Sequence, residues 1–143
     1  MGKTKDELLE IIKECESYLE ISDEVSGLEE ALYAGGEVVI WLTSDILGRT
    51  EEGLGQRLMK ELLNSLAEVG SNLKAVILVS RAVRLQEDAG NCRALERLEE
   101  QGVTLLYSSA SASHFGIEPQ LGTQATMFHL VQVALTAKRL LSL

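Results

Sequence analysis

Side chains that can hold a small anion follow three separate apolar runs of this sequence, in the segments 43–53, 80–90 and 107–116. Hydroxyl and guanidinium groups donate hydrogen bonds to oxyanions, and a helix N-terminus adds unpaired backbone amides and the positive end of its dipole. The candidate binding residues in these segments are Thr43, Ser44, Arg49, Thr50, Arg81, Arg84, Ser108, Ser111 and His114. Segment 43–53 contains neither the Walker A pattern nor GxGxxG, so it carries neither of these phosphate-binding motifs.

Structural roles are the alternative for the first two segments. Segment 43–53 can be a capped connection between a strand and a helix. Arg81 and Arg84 can be solvated, or they can form salt bridges with Glu87 or Asp88. The sequence leaves the binding and the structural interpretations of both segments open.

The serine-rich run 108–113, followed by His114, raises the question of a serine nucleophile that a histidine activates. No GxSxG elbow surrounds these serines, and no third member of a triad is evident. A loop that lets a ligand or a partner approach closely, or plain loop structure, is therefore preferred. The second histidine, His129, lies in a helical pattern and is interpreted as structural or interfacial.

The two cysteines, Cys15 and Cys92, lie far apart in the sequence and form no CxxC motif. With only two histidines beside them, they do not make a convincing zinc site, and we predict no metal and no cofactor. Cys92 lies at the predicted start of a helix, where a thiol pKa is lowered. It is the candidate if a thiol acts, and otherwise it is a small buried hydrophobic residue.

Alternating strands and helices are predicted to position these segments. Short apolar runs typical of buried parallel strands cover 37–43, 73–80 and 103–107. Helices are predicted over 51–69, 91–101 and 124–137, a loop over 81–90, one helical turn at 114–117, and either a strand or a helix end over 139–143. This order implies an α/β fold with a three-layer, mostly parallel open sheet and helices on both faces.

Hydrophobic periodicity predicts which side of each helix faces the core. The residues expected to be buried are Leu54, Leu58, Leu62, Leu66 and Val69 in helix 51–69, Leu95 and Leu98 in helix 91–101, and Met127, Leu130, Val131, Ala134 and Leu135 in helix 124–137. In an open parallel sheet, ligands bind beyond the carboxyl ends of the strands. We therefore expect the three candidate segments to lie at that edge.

Composition and charge narrow the range of partners. The net charge is −9, which disfavours nucleic acid because phosphate binding needs basic residues. No run of about 18 apolar residues is present, so a membrane span is not expected. The charged start, Met1-Gly-Lys-Thr-Lys5, does not look like a signal peptide. The sequence predicts a cytoplasmic protein without a nucleic-acid or membrane partner.

Four segments, taken in order, resemble parts of the DsrE-like domain. These are 51–60, similar to the family's first helix, 76–85, similar to its second strand and loop, 95–103, similar to its leucine-rich helix, and 126–128, similar to its Asn-Met-Tyr element. The resemblance covers about 37–143 and points to the C-terminal half of YedF-type proteins linked to selenium metabolism. It implies a DsrE/flavodoxin-like sheet, frequent homo-oligomers, and sulfur relay in the cytoplasm with a protein partner.

This chain departs from the family at the residues that carry the chemistry. The YedF-type pattern has Cys-Gly-x-Cys after strand three, and those cysteines fall on Ser108 and Ser111 here. A persulfide relay needs a thiolate, which a hydroxyl does not replace. The Cys-Pro-x-Pro motif of the family's fused TusA-like domain is not found either, since Pro119 is the only proline in the sequence.

These observations lead to one expected function and one alternative. We expect an N-terminal helical extension over 1–36 and a DsrE-like domain over 37–143. The expected function is that of a sulfur-relay or selenium-metabolism protein without the usual cysteines, which binds a small anion or a partner as a homo-oligomer and does not catalyse sulfur transfer. The alternative is a sulfur carrier or sulfurtransferase that acts through Cys92. A purely structural subunit is a third interpretation.

Overall fold

The computed structural model describes residues 5, 8, 36–49, 52–69 and 72–143. The predicted helical extension 1–36 lies outside this part of the chain except for three residues. Cys15 and Thr50 also lie outside it.

Five strands form one parallel sheet, in the order β4-β3-β2-β1-β5. Their bounds are Val38–Leu42 for β1, Leu73–Leu78 for β2, Thr104–Ser108 for β3, Thr123–Ala125 for β4 and Arg139–Ser142 for β5. The predicted parallel sheet is confirmed, and residues 139–142 form a strand rather than a helix end. Every residue of β2 is buried, as expected for a central strand covered on both faces.

Helices lie on both faces of this sheet, as predicted. Their bounds are Leu54–Val69 for α1, Ala89–Glu100 for α2, Ser109–Phe115 for α3 and Met127–Leu135 for α4, with a 3-10 helix over Ser80–Glu87. Side chains of α1, α2 and the 3-10 helix pack with Ile40, Leu42 and Val76 in one core. Side chains of α4 pack with Val39 and Ile77 in a second core on the other face.

Two segments predicted as loops are helical in the structure. Residues 81–87 belong to the 3-10 helix, and the serine-rich run forms α3 from Ser109, so the helix begins well before the predicted turn at 114–117. Small polar residues look like loop, but Ser108 caps α3 with its side chain and thereby satisfies an amide of the first turn. Gly116 ends α3 with a φ of 65°, a conformation that glycine adopts without strain.

The predicted buried face of α1 is wrong by one position. The buried residues are Gly55, Met59, Leu63 and Ala67, while Leu58, Leu62 and Leu66 are half-buried and Leu54 and Val69 are exposed. Gly55 explains the rotation, because a Cβ there would lie 2.9 Å from the Cβ of Ile46. The helix therefore turns its smallest residue toward the segment after β1.

The last predicted helix, 124–137, is also corrected. Its first residues form β4, and α4 begins at Met127 after Thr126, whose side chain accepts a hydrogen bond from the backbone amide of His129. Met127, Val131 and Leu135 were expected to be buried and are exposed, whereas His129, Leu130 and Val133 are buried. This helix is apolar on most sides, so periodicity alone does not reveal which side faces the sheet.

Candidate functional site

The three candidate segments meet at the carboxyl edge of the sheet, as the parallel topology requires. Arg81 Nε lies 3.4 Å from Asp45 Oδ1, which joins the segments after β1 and β2. The backbone amide of Ser80 donates to Ser111 Oγ at 2.8 Å, which joins the segments after β2 and β3. The guanidinium carbon of Arg84 also lies 5.7 Å from the centre of the Phe115 ring.

A cleft of about 430 Å³ opens beside these contacts. The segment after β1, the first turns of α1, the end of the 3-10 helix and the first turn of α2 form its walls, and we call it the α1–α2 cleft. Its lining residues are Asp45, Gln56, Arg57, Lys60, Arg84, Leu85, Glu87, Asp88 and Asn91. Of the suggested binding residues that the structure describes, Arg84 is the one that lines this cleft.

Each of the cations that line the cleft has a carboxylate partner. Arg84 Nε lies 3.1 Å from Glu87 Oε1, and Lys60 Nζ lies 3.2 Å from Asp88 Oδ2. The hydrogen bond from Arg84 to Glu87 holds the Arg84 pKa above its usual range. Exposed pairs of this kind contribute little to stability, so a bound anion recruits these cations at small cost.

Arg57 completes the set of cations, and its partner Glu61 lies one helical turn further along α1. Arg57 Nε lies 3.3 Å from Glu61 Oε1, and both side chains are mostly exposed. Because Arg57 and Lys60 are three residues apart in a helix, their side chains project from the same side of α1. Two cations of α1 therefore face the 3-10 helix and Arg84 across the cleft.

The first turn of α2 forms one wall of the cleft. Asp88 caps this helix by accepting from the backbone amide of Asn91 at 2.9 Å. This hydrogen bond, followed by the one from Lys60, holds the pKa of the Asp88 carboxyl below its usual range. A Cβ at Gly90 would lie 3.4 Å from Lys60 Nζ, so Lys60 reaches directly over the start of α2.

Asn91 is a buried polar residue in this wall. Its side chain is 8% exposed, and its Oδ1 has no hydrogen-bond partner among the described residues. Buried polar atoms are nearly always paired in folded proteins, so this buried, unpaired acceptor is an exception to the usual pattern.

Ser108 and Ser111, onto which the sequence resemblance places two cysteines, hold backbone groups in place. Ser108 is buried, and its Oγ accepts from the backbone amide of Ser111 at 3.1 Å. Ser111 Oγ in turn accepts from the amide of Ser80, a residue with a φ of 54°. That left-handed conformation is strained for a residue with a side chain, and the hydrogen bond from Ser80 to Ser111 helps to hold it. Both hydroxyls are thus engaged in structural hydrogen bonds.

The prediction that the helix start lowers the Cys92 pKa is wrong. Burial, followed by the charges of Asp88 and Glu96, raises the pKa of this thiol. Cys92 Sγ donates to the carbonyl oxygen of Gln86 at 3.0 Å and lies beside a second cavity of about 250 Å³. Cys92 is the fourth residue of α2, and Asp88 caps the start of this helix. The thiol therefore lies beyond the first amides of the helix, which are the ones that would lower its pKa.

The remaining predicted site residues within the described part of the chain lie at the same edge without lining the cleft. Thr43 Oγ1 donates to the carbonyl oxygen of Leu143, and Ser44 Oγ accepts from the amide of Ile46. Arg49 is exposed, and the exposed His114 ring packs edge-on against Phe115 with centroids 4.9 Å apart. These contacts give Thr43, Ser44 and His114 structural partners and bring none of them to the cleft.

Sequence inspection missed Arg57, Lys60 and Asn91. The prediction for helix 51–69 concerned its buried face, and the spacing of three residues between Arg57 and Lys60 was the available signal. Asn91 is the first residue of predicted helix 91–101, and nothing in its neighbours marks it as buried. Among the described residues there is no group of three metal-binding side chains, and no helix is long and apolar enough to cross a membrane.

Comparison with known proteins supports the fold. No protein-family model matches the chain, and no curated protein was found to be similar to it. Among solved structures, the chain is similar to the crystal structure of the ychN protein from E. coli, with a TM-score of 0.56 and 23% sequence identity, covering 76% of this chain and 99% of that chain. At this level of identity the likeness bears on the fold, and it supports the α/β arrangement of a parallel sheet with helices that the sequence predicts.

Proposed function

We propose that this chain is a DsrE-like protein, of the YedF-related sulfur-relay and selenium-metabolism type, that binds a small anion in the α1–α2 cleft as a homo-oligomer. Its role is binding rather than transfer of sulfur through a thiol. The observation that carries the proposal is the grouping of Arg57, Lys60 and Arg84 around one cleft at the carboxyl edge of the sheet.

The charge of the chain makes this grouping informative. The chain has 22 acidic and only 13 basic side chains, yet three of the basic side chains line this cleft. Arg84 presents a planar fork suited to an oxyanion, and Lys60 adds a compact positive charge. The start of α2 lies beside them and contributes the positive end of a helix dipole.

The rival function, sulfur transfer through Cys92, has less support. A persulfide carrier needs a thiolate near neutral pH, and burial and two carboxylates oppose ionisation of Cys92. Ser108 and Ser111 hold the backbone at the family's cysteine positions and cannot carry sulfur. A binding role is consistent with both observations.

Calorimetric titration with sulfate and thiosulfate at low ionic strength tests the proposal. We expect Arg84→Gln and Lys60→Gln each to weaken binding roughly tenfold, because a hydrogen bond to a charged group contributes about 1.5–3 kcal/mol. Arg93→Gln is the matched control, since Arg93 is an exposed cation of α2 that does not line the cleft. This control removes the same charge from the protein away from the cleft, so we expect it to leave the affinity within about twofold.

Two results would contradict the anion-binding proposal. One is the absence of measurable binding of either anion to the unchanged protein. The other is an equal loss of affinity in Arg84→Gln and Arg93→Gln, which would show that overall charge and not the cleft determines binding.

The homo-oligomer is proposed on separate grounds. Four apolar side chains of α4 are exposed, and β5 exposes two leucines at the outer edge of the sheet. These residues are Met127, Phe128, Val131 and Leu135 on α4, and Leu140 and Leu141 on β5. Exposed apolar side chains grouped in this way on one helix are typical of an interface between subunits.

A further inference from the structure

The described helices cover the two faces of the sheet unequally. The helices α1, α2, α3 and the 3-10 helix pack on one face, and α4 is the one described helix on the other. The main strand contacts of α4 are with β3 and β4. A helix is about 10 Å across and strands lie about 4.8 Å apart, so α4 covers about two of the five strands. Parallel sheets are covered on both faces, so the α4 side of β1 and β5 has room for a further helix.

Apolar side chains of β1 and β5 point to this side of the sheet. Leu140 is in register with Val39, a residue of the core beneath α4. Leu141 is in register with Ile40, a residue of the opposite core. Neighbouring residues of a strand alternate between faces, so Leu140 points to the α4 side and Leu141 away from it. Trp41 packs against the α4-side core and is only partly buried.

The N-terminal segment, residues 1–36, joins the sheet next to this surface. The backbone amide of Glu37 donates to the carbonyl oxygen of Asn72, just before β2. The carbonyl oxygen of Glu37 accepts from the amides of Lys138 and Arg139, at the start of β5. The segment is therefore attached at the amino edge of the sheet between β2 and β5, and Lys138 lies only three residues after the end of α4.

The charge of the N-terminal segment differs from that of the rest of the chain. It has ten acidic and three basic side chains, so it holds seven of the nine net negative charges. Lys74 near the start of β2, Lys138, and Arg139 at the start of β5 place positive charge at the amino edge where the segment is attached. Opposite charges on two surfaces favour their contact.

The N-terminal segment also has an apolar stripe that needs a surface to cover it. The stripe consists of Leu8, Ile11, Ile12, Cys15 and Leu19, which recur at helical spacing. Leu8 is helical and half-buried. On the same helical spacing Ser17 falls on the opposite side. An amphipathic helix is stabilised mainly by packing of its apolar side, so this stripe predicts a contact with apolar side chains of the domain.

We propose that residues 5–19 of the N-terminal segment pack on the α4 side of the sheet, with their apolar stripe over Trp41 and Leu140. Together with α4 they complete the second helical layer, and the acidic residues stay near the cations of the amino edge. This contact within one chain is separate from anion binding in the α1–α2 cleft and does not depend on it. The exposed apolar side chains of α4 remain available to a second copy.

Trp41 fluorescence tests this contact in the full chain, because Trp41 is the only tryptophan. Ile12→Glu places a carboxylate in the apolar stripe, where burial of an unpaired charge is unfavourable. We therefore expect acrylamide quenching of Trp41 to rise about twofold and its emission to shift to longer wavelength. Ser17→Glu is the matched control, because it adds the same charge on the opposite side of the predicted helix. It should leave quenching and emission unchanged.

Unchanged quenching in Ile12→Glu, or an equal increase in both variants, overturns the proposal. Anion titration of both variants separates the two proposals, since release of the segment should leave the affinity of the α1–α2 cleft unchanged. Failure of anion binding in the unchanged protein would contradict the cleft and leave the fluorescence result standing.

Disulfide formation locates the contact without changing the stripe. Leu140→Cys and Leu141→Cys place a thiol on opposite faces of β5, at neighbouring residues that are 48% and 50% exposed. Both variants also carry Cys92→Ala, so Cys15 is the only other thiol. A disulfide needs two Cα atoms within about 7 Å, so mild oxidation should link Cys15 within the same chain in Leu140→Cys and not in Leu141→Cys.

Peptide mass spectrometry and non-reducing electrophoresis read the outcome. Equal yields of the disulfide in the two variants, including none in either, overturn the proposed position of the segment. A disulfide that forms only between chains shows that the segment packs on a second copy, and it overturns the contact within one chain. The segment keeps its own sequence in these variants, so the result is decisive even if Ile12→Glu does not fold.

Discussion

Cys92 shows how local surroundings decide the chemistry of a single residue. Its thiol is half-buried, donates a hydrogen bond to the Gln86 carbonyl oxygen, and lies near Asp88 and Glu96. Burial disfavours the charged thiolate, and both carboxylates repel it, so the pKa rises. The structure therefore describes a thiol that stays protonated near neutral pH.

Alkylation kinetics with iodoacetamide, followed by mass spectrometry of the Cys92 peptide, test this description. We expect Cys92 to react more slowly at pH 7.5 than the thiol of glutathione, because only the thiolate reacts. Glu96→Gln should speed the reaction by removing one carboxylate, and Glu100→Gln, an exposed change on the same helix, should not. A persulfide found on Cys92 after sulfur loading would contradict the binding function and favour the carrier.

At the residue scale, the sequence could predict only part of the site. Arg84 was identified because an arginine after a strand in an α/β fold lies at the ligand edge. Lys60 and Asn91 were missed because their contribution depends on how α1 and α2 pack, which periodicity misjudged for α1 by one position. A buried acceptor without a partner is a property of packing, and no local pattern reveals it.

Ser108 and Ser111 connect three elements of the fold. Ser108, the last residue of β3, caps α3, and Ser111 holds the amide of Ser80, the first residue of the 3-10 helix. The two hydroxyls therefore join β3, α3 and the 3-10 helix at one point. Ser108 is buried, so losing its hydroxyl would leave the Ser111 amide without its acceptor. The two hydroxyls therefore stabilise the fold rather than take part in a reaction.

Urea unfolding tests this role. We expect Ser108→Ala and Ser111→Ala each to lower the free energy of unfolding by about 1 kcal/mol, the usual effect of losing a cap or one buried hydrogen bond. Ser113→Ala, an exposed change in the same helix, should alter it by less than about 0.5 kcal/mol. Equal stability of all three variants would show that the two hydroxyls are dispensable.

The sequence predicted the order of elements better than their orientation. The strand runs were recognised because buried parallel strands are continuous and rich in β-branched residues. The orientation of α4 was missed because it carries apolar residues on most sides. The 3-10 helix and α3 were missed because their sequences resemble loops, and tertiary contacts such as the one between Ser80 and Ser111 hold them.

At the scale of the whole molecule, the exposed face of α4 is the feature that the monomer leaves unexplained. Leu135 is 75% exposed and Val131 is 41% exposed, although both were expected in the core. An apolar helix that is half exposed is accounted for if a second copy of the chain covers it. The exposed apolar face of α4 thus explains why its orientation was predicted wrongly, and it is also the reason that we propose a homo-oligomer.

Light scattering after size-exclusion chromatography tests the oligomer. We expect Val131→Glu to lower the measured mass toward that of the 15.6 kDa chain, because a buried charge destabilises an apolar interface. Val69→Glu is the matched control, since Val69 is an exposed valine at the end of α1. An unchanged mass for Val131→Glu, or an equal decrease for both variants, would argue against an interface at α4.

The pairing of β1 with β5 has a consequence for how the chain folds. The amide and the hydroxyl of Thr43 both donate to the carbonyl oxygen of Leu143, a separation of 100 residues, and Glu37 at the other end of β1 forms an ion pair with Lys138. During synthesis, β1 can pair with β2 early, but its other side stays open until residues 139–143 leave the ribosome. Since distant contacts slow folding, completion of the sheet at β5 is expected to be a late event in folding.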